Sequence, residues 1–588
     1  MKNIFKKSGA VLSSIQKKTK KLNRHTTKHL TENFILRFEN LHVVRLRVVS
    51  WFLMMAILLG LAGIQNIWMQ KAYHTAAFVD GGTFIEATLG SVKTLNPLFV
   101  STNSEKTVAR LVFSQLLRYD TDGKPQYYAA KNVAISEDSK KYTVELRDNV
   151  YFHDGELLTA DDVVFTINTI KDPRTRSNLS QAWKNVSIQK NSDFEVEFNL
   201  SASFSAFQGM LDFDILPEHA LRDVPKESLF ELTEFNLSPV GSGPFAFQSI
   251  QNTADDNTMV RLKRNNSYQF GKPMLEFFTV YAFDDKDEII DAVKSNTVNA
   301  TAELSLKESE ELTNPNFIVK NTKTNGGYFI FFNTVLVPDQ KMRSAIGSII
   351  NRQEVMDAVG AASPLDYPIL SSQMELNLPE VNQFNLELAA ETLTGLGYKL
   401  EGDEWKDAEG GNLELKVATA SGSDLELAAD NVVEQLESFG IRVEEAVYDV
   451  DNSGQGSLMD ILGERAYDLI VYEIDLGPDP DMLPYYHSSQ TGANGLNLSN
   501  YVNVTVDDIL TSATATVDKK MRQTKYEAFL REWARDVPSI GLFQSSLTYI
   551  TQTGVRSFSE QNRLISNIDR FSDIVHWASH KEERLKTP

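Results

Sequence analysis

YTVELRDNVYFHDGELLTADDVVFTINTIKD, residues 142–172, encodes a strand, a turn and a helix in succession. Tyr142, Val144 and Leu146 alternate with Thr143, Glu145 and Arg147, the period-two pattern of a half-buried strand. Thr159 stands three residues before Asp162, a capping-box start, and Pro173 supplies the stop, so a helix is expected between them. His153 beside Asp154 could form a base and its orienter. No nucleophile or metal-ligand partner accompanies the pair, so a tight Asp154-Gly155 turn fixed by His153 is the preferred reading.

Around this stretch, 588 residues give enough chain for two or more domains, and 42% apolar with 23% charged residues is ordinary for a globular protein. The absence of cysteine excludes disulfides, thiolate metal sites, cysteine nucleophiles and a lipid-modified N-terminal cysteine. An anchor of protein is present instead. VVSWFLMMAILLGLAGIQNIWM, residues 48–69, has no ionisable side chain and carries tryptophan near both ends. The first 50 residues hold twelve Lys/Arg against two Glu, leaving the remainder at 46 basic and 77 acidic side chains, a net −31 against −21 for the whole chain. That asymmetry places residues 1–47, a basic tail, in the cytoplasm and the acidic bulk on the extracytoplasmic side, a single-pass arrangement in the cell membrane. A cleavable signal peptide is the competing reading, but its apolar region would be shorter and closer to residue 1. The basic tail lacks the aromatic interleaving of a nucleic-acid binder, and none is expected as a partner.

Beyond a linker at 70–82, strand-like and helix-like runs alternate without a repeat, which fits mixed α/β lobes. Leu413 to Thr419 reads as a strand and Leu427 to Phe439 as a helix closed by Gly440. Ile441 to Val447 and Tyr467 to Tyr472 follow as strands. Gly241-Ser242-Gly243-Pro244 lacks the G-x-S-x-G spacing of a nucleophile elbow and reads as a backbone turn requiring positive φ. Asp120-Thr121-Asp122-Gly123 lacks the later ligands of a calcium loop and reads as a hairpin turn. The histidines show no HxxH or HExxH spacing, and no metal or other cofactor is expected.

The wording of these segments adds a resemblance. Phe152-His153-Asp154-Gly155 followed by Leu158-Thr159-Ala160-Asp161-Asp162-Val163 resembles the signature of the solute-binding proteins of ABC importers, the oligopeptide/dipeptide/nickel family (bacterial solute-binding protein family 5). Leu95-Asn96-Pro97-Leu98, Leu116-Leu117-Arg118-Tyr119-Asp120, Asp122-Gly123-Lys124-Pro125 and Gly241-Ser242-Gly243-Pro244-Phe245 are similar to its further landmarks. So are Phe331-Phe332-Asn333-Thr334, Met342-Arg343-Ser344-Ala345-Ile346, Asn351-Arg352 and Asp479-Pro480-Asp481, with Asn351 where the family commonly has aspartate. Together they run through about residues 80 to 578.

The resemblance implies an α/β, two-lobed periplasmic-binding-protein-like ectodomain (type II, large peptide-binding subclass) with a hinge of two crossing strands, behind one N-terminal transmembrane helix. Lobe I would take residues 83–327, lobe II 328–540, and 541–588 would return to lobe I and end in a tail. The chain would cross near Tyr328 to Asn333 and return near Ser539 to Thr551, with Phe571 to Trp577 completing lobe I. It also implies a binding protein rather than an enzyme, with a peptide ligand, ABC permease subunits as partners, and a monomeric state. Other cargo, such as a nickel chelate or an oligosaccharide, and a surface sensor or structural role remain as alternatives.

Asp475, just past the apolar strand Leu469 to Tyr472, is similar in position to the aspartate with which the family's peptide binders hold a ligand ammonium. A turn cap is the other reading of this residue. Tyr472, Tyr328, Phe331, Tyr485 and Tyr486 could line the cleft or belong to the core. Where the family's dipeptide binders carry an arginine for the peptide carboxylate, Thr419-Ala420-Ser421-Gly422-Ser423-Asp424 has none, which favours a longer peptide or another solute.

Overall fold

The computed structural model describes residues 41–585 apart from 121–123, 178, 205, 311, 313, 449–461, 494 and 559–563. The tail up to residue 40 and the Asp122-Gly123 turn lie outside the described residues. The chain divides into two compact units, Met1–Ala77 with Lys581–Pro588, and Phe78–His580.

In the first unit the helix Leu41–Tyr73 contains a 23-residue stretch, Arg47–Met69, with mean hydropathy 2.0 and no residue buried. Its apolar side chains face outward on every side. It is long and apolar enough to cross a membrane. The strand His74–Phe78 follows directly, so much of the segment expected as a linker is regular structure.

The second unit is built on a ten-stranded sheet. Its middle is a pair of long antiparallel strands, Phe317–Phe332 and Ser539–Gln552, which belong to both lobes. On one side of the pair lie Leu469–Asp475, Glu414–Ala420 and Arg442–Tyr448 of lobe II, with Glu414–Ala420 parallel to both neighbours. On the other lie Ala300–Thr301, Thr83–Leu89, Phe277–Phe283, Thr258–Arg264 and Phe245–Asn252 of lobe I. The lobe II strands alternate: Leu469 and Val471 enter a core with the helix Ser423–Ser438, while Ile470 and Ile474 enter a second core with Lys519–Asp536 on the opposite face. Lobe I has its own core, where Phe84 stacks on Phe278 at 5.5 Å and meets Trp577 at 5.2 Å.

The crossing is earlier than the sequence reading has it. Phe317 to Lys323 pairs with Gln552 to Ser546, and Gly327 to Phe331 with Gln544 to Ser539, leaving a register break over Thr324, Asn325 and Gly326. Tyr328 to Phe332 already pairs with Glu473 to Leu469 inside lobe II. The break is held by buried Asn325, whose N–H donates to the Ile565 carbonyl at 3.0 Å and whose side-chain amide donates to the Gly477 carbonyl at 2.7 Å. A Cβ on Gly326 would meet Ser545 Oγ at 2.6 Å and Ser545 Cβ at 3.0 Å, so a larger residue there would have to displace the Ser545 side chain on the other crossing strand.

The signature stretch forms the strand Lys141–Leu146 and the helix Ala160–Lys171, with Tyr142, Val144 and Leu146 buried and the Thr159–Asp162 capping box formed. Its turn is locked onto the Gly241–Pro244 segment. The His153 N–H donates to the Gly241 carbonyl at 2.8 Å, the Gly241 N–H donates to Nδ1 at 3.3 Å, and Nε2 lies 3.1 Å from the Gly243 carbonyl. The expected positive φ is absent at Gly241 and Gly243. These glycines serve close approach instead: a Cβ on Gly241 would lie 2.1 Å from the Val112 carbonyl oxygen, and one on Gly243 2.6 Å from that of Leu111.

One ring nitrogen of His153 accepts and the other faces a carbonyl, which suits the neutral imidazole. Burial, opposed by the Gly243 carbonyl, holds its pKa down at about 4. The unfolded imidazole takes up a proton near 6.5 that the folded one refuses until about 4, so this group costs stability progressively as pH falls through that window and costs nothing above it. Melting profiles of wild type and His153→Gln are expected to converge as pH falls from 6.5 to 4. Parallel profiles would refute the assignment.

Candidate functional site: the cleft between the lobes

Three cavities, of about 460, 540 and 600 Å³, are each lined from both lobes. The 460 Å³ cavity takes Asp475 from lobe II and the rest of its lining from lobe I, including Asp214, Glu303 and Lys106. The 600 Å³ cavity shares Asn103 and Lys106 with it and adds Ser421 and Gly422 at the start of the helix Ser423–Ser438. The 540 Å³ cavity lies where Pro478 of lobe II faces Gly209 of lobe I, whose Cβ, if present, would be 3.3 Å from the proline ring. Ligand-sized hollows at such a domain boundary are the default binding site of a two-lobed protein.

Asp475 is the last residue of the strand Leu469–Asp475, opposite Gly326 at the hinge. Its Oδ1 accepts from the Gly477 N–H at 2.8 Å, and its carbonyl accepts from the Tyr485 hydroxyl at 2.6 Å. Both readings of this residue are therefore met in part: one oxygen caps the turn, while Oδ2 has no hydrogen-bond partner among the described residues. The side chain is exposed, yet desolvation pushes the carboxyl pKa up, opposed by the Gly477 N–H. Exposure together with desolvation is the mark of a concave wall, where a carboxylate meets water on one side and protein on the others.

The five aromatic candidates do not gather there. Phe331 is fully buried in lobe II, 6.4 Å from the Tyr486 ring, and Tyr486 gives its hydroxyl to a hydrogen bond with Ser539 at 2.8 Å. Both are core residues: period-two alternation turns Phe331, with Phe329, onto the face covered by Lys519–Asp536, and Tyr486 of the short helix Leu483–Tyr486 packs into the same core. Tyr328 stacks on Phe543 at 4.3 Å and is buried. Tyr485 is half-buried beside Asp475, Tyr472 is half-buried against the core that takes Ile470 and Ile474, and only Asp475 of the six lines one of the three cavities.

Arg110, Asp212, Arg570, Asp479 and Arg522 also line the cavities, and each is fixed by an ion pair. Arg110 donates to both oxygens of Asp212, at 2.5 and 2.9 Å, and reaches Asp569 at 3.3 Å. Arg570 binds Oε1 of Glu86 through Nη2 at 2.6 Å and Nε at 3.1 Å, and Tyr549 donates to Oε2 at 2.8 Å. Asp479 of the Asp479-Pro480-Asp481 element is held by Arg522 through two contacts of 2.7 Å, and Asp481 Oδ1 accepts from the Leu483 N–H.

A family model describing bacterial extracellular solute-binding proteins, family 5 (middle region), matches residues 124–495. The chain belongs to this family. Among family 5 relatives, the oligopeptide-binding protein AppA of Bacillus subtilis (strain 168) is 26% identical over 482 residues, spanning 79% of this chain and 86% of that protein. The nickel-binding protein NikA of Staphylococcus aureus is 24% identical over 403 residues, 67% of this chain and 76% of its own. The solved structure of B. subtilis AppA with a nonapeptide aligns with a TM-score of 0.70 at 23% identity, covering 86% of this chain and 100% of that one. NikZ from Campylobacter jejuni with Ni(L-His) aligns with a TM-score of 0.72 at 21% identity, over 84% and 99%. These likenesses establish the two-lobed solute-binding fold for this chain.

Proposed function

We propose that this family 5 protein captures peptides outside the cell and delivers them to the permease of an ABC importer. The observation that carries the reading is the set of three interlobe cavities of about 460, 540 and 600 Å³, two of them sharing Asn103 and Lys106, which together offer more room than one compact solute needs. The relative AppA is named for oligopeptide binding, and the missing arginine in the 419–424 stretch argues against a dipeptide-only pocket. The protein does this without catalysis, as a monomer. Ligand contacts made only in the closed state pull the lobes together about the break at Thr324 to Gly326. Asp475 is the anchor for the ligand's ammonium, through a charge-assisted hydrogen bond.

Residues 48–69 are proposed to stay attached as a signal anchor, with the basic tail inside and the lobes outside. Native mass spectrometry of the full chain extracted from its own membranes tests both points. The expected result is bound peptides on a chain that retains its N-terminus. A nickel chelate or a sugar in the cleft would overturn the peptide reading, and a mature chain beginning near Ala77 would overturn the anchor.

A further inference from the structure

The charge of the cleft names the cargo more narrowly, resting on the reading that the cleft holds a peptide. The three interlobe cavities are lined by ten carboxylates against five cationic side chains. Four of those cations are already engaged. Arg110 is held by Asp212, Arg570 by Glu86, Arg522 by Asp479, and Lys286 lies 3.6 Å from Glu308. The fifth is Lys106.

In the 460 Å³ cavity, which also holds Lys106, the carboxylates of Asp214, Glu303 and Asp475 have no cationic partner within 4.0 Å among the described residues. Each carboxylate instead accepts from a neutral donor: Asp214 from the Gln115 amide, Glu303 from Asn103 Nδ2 at 2.8 Å, and Asp475 from the Gly477 N–H at 2.8 Å. Burial is the leading influence on all three and raises their pKa values; Arg110 opposes it at Asp214 and Arg570 at Glu303, but these arginines are ion-paired to Asp212 and Glu86, so neither is a dedicated counter-ion. No group of three or more side chains suited to a metal ion occurs among the described residues. A closing cleft makes such a deficit worse unless the ligand brings positive charge, because low-dielectric walls concentrate the field.

We infer that this protein selects basic peptides, and that the 460 Å³ cavity receives an arginine or lysine side chain against Asp214 and Glu303 of lobe I while Asp475 of lobe II takes the ammonium terminus. A cation bridging carboxylates from both lobes would itself favour closure, since that arrangement exists only when the lobes meet.

The test uses the full chain in detergent and three pools of nonapeptides with free termini, equal in length, whose variable positions are rich in Arg/Lys, in Gln, or in Glu. Calorimetry is expected to show the basic pool binding at least about tenfold tighter than the Gln pool and the acidic pool weakest, with the preference shrinking as salt is raised. The Asp214→Asn/Glu303→Gln double variant should bring the basic and Gln pools to within about threefold of each other. Should that variant not fold, Glu303→Gln alone carries the comparison, with part of the preference lost. Equal binding of all pools, or a preference for the acidic pool, overturns this inference and leaves peptide capture standing. Binding by none of them overturns peptide capture as well.

Discussion

Glu86→Ala is expected to destabilise the lobed unit by about 3–5 kcal/mol, the cost of leaving a buried guanidinium without its carboxylate. Glu86 is fully buried on the strand Thr83–Leu89, Arg570 is 4% exposed, and Tyr549 sits on the second crossing strand. One carboxylate therefore ties together the start of lobe I, the hinge and the C-terminal return, segments up to 484 residues apart in the chain. The attraction between the charges is offset by the loss of their water, so removing both at once should cost far less than removing one. Chemical denaturation of Glu86→Ala, Arg570→Met and the double variant Glu86→Met/Arg570→Met checks this. The double variant is expected within about 2 kcal/mol of wild type. If the two single losses simply add, the group is not the tightly coupled network described.

The second large effect concerns ligand rather than fold. Asp475→Asn removes the charge while keeping an acceptor for the Gly477 N–H, so the turn at the end of the strand survives and stability should hold. Loss of one charge-assisted contact in a closed cleft costs about 2–5 kcal/mol. A peptide recovered from the purified protein should therefore bind Asp475→Asn at least about tenfold more weakly. N-acetylation of that peptide should have a similar effect on wild type and little further effect on the variant. Calorimetry showing both changes harmless would end the anchor assignment. A fall in melting temperature with unchanged affinity would leave Asp475 as a turn cap alone.

The same carboxylate shows how far a sequence carries the site. Asp475 is proposed because its place between an apolar strand and Asp479-Pro480-Asp481 resembles that of the family's ammonium-binding aspartate, all within one short segment. Asp214, Glu303 and Lys106, which complete its cavity, share no spacing with it and come from three separate elements of lobe I. Phe331 and Tyr486 illustrate the opposite failure. An aromatic next to a hinge reads the same whether it faces a cleft or a helix, and only the alternation of a strand whose two faces are both covered decides between them.

Local chemistry was sufficient for the strand and capped helix of residues 142–172, because a capping box, a period of two and a proline stop act within a few residues of themselves. The strand, helix and strands of lobe II were legible for the same reason, and the apolar helix before the lobes because it presents one kind of surface all round. Tertiary structure alone decided where the chain crosses between lobes, since that depends on a pairing register between strands more than 200 residues apart. It also decided why Gly241 and Gly243 are glycine. The reason is the nearness of the Leu111 and Val112 carbonyls, a distance no local pattern encodes, rather than a backbone angle. The acidity of the cleft is of the same kind: net charge is a property of the sequence, but which carboxylates lack a cation is settled only when the chain has folded and the arginines have been taken.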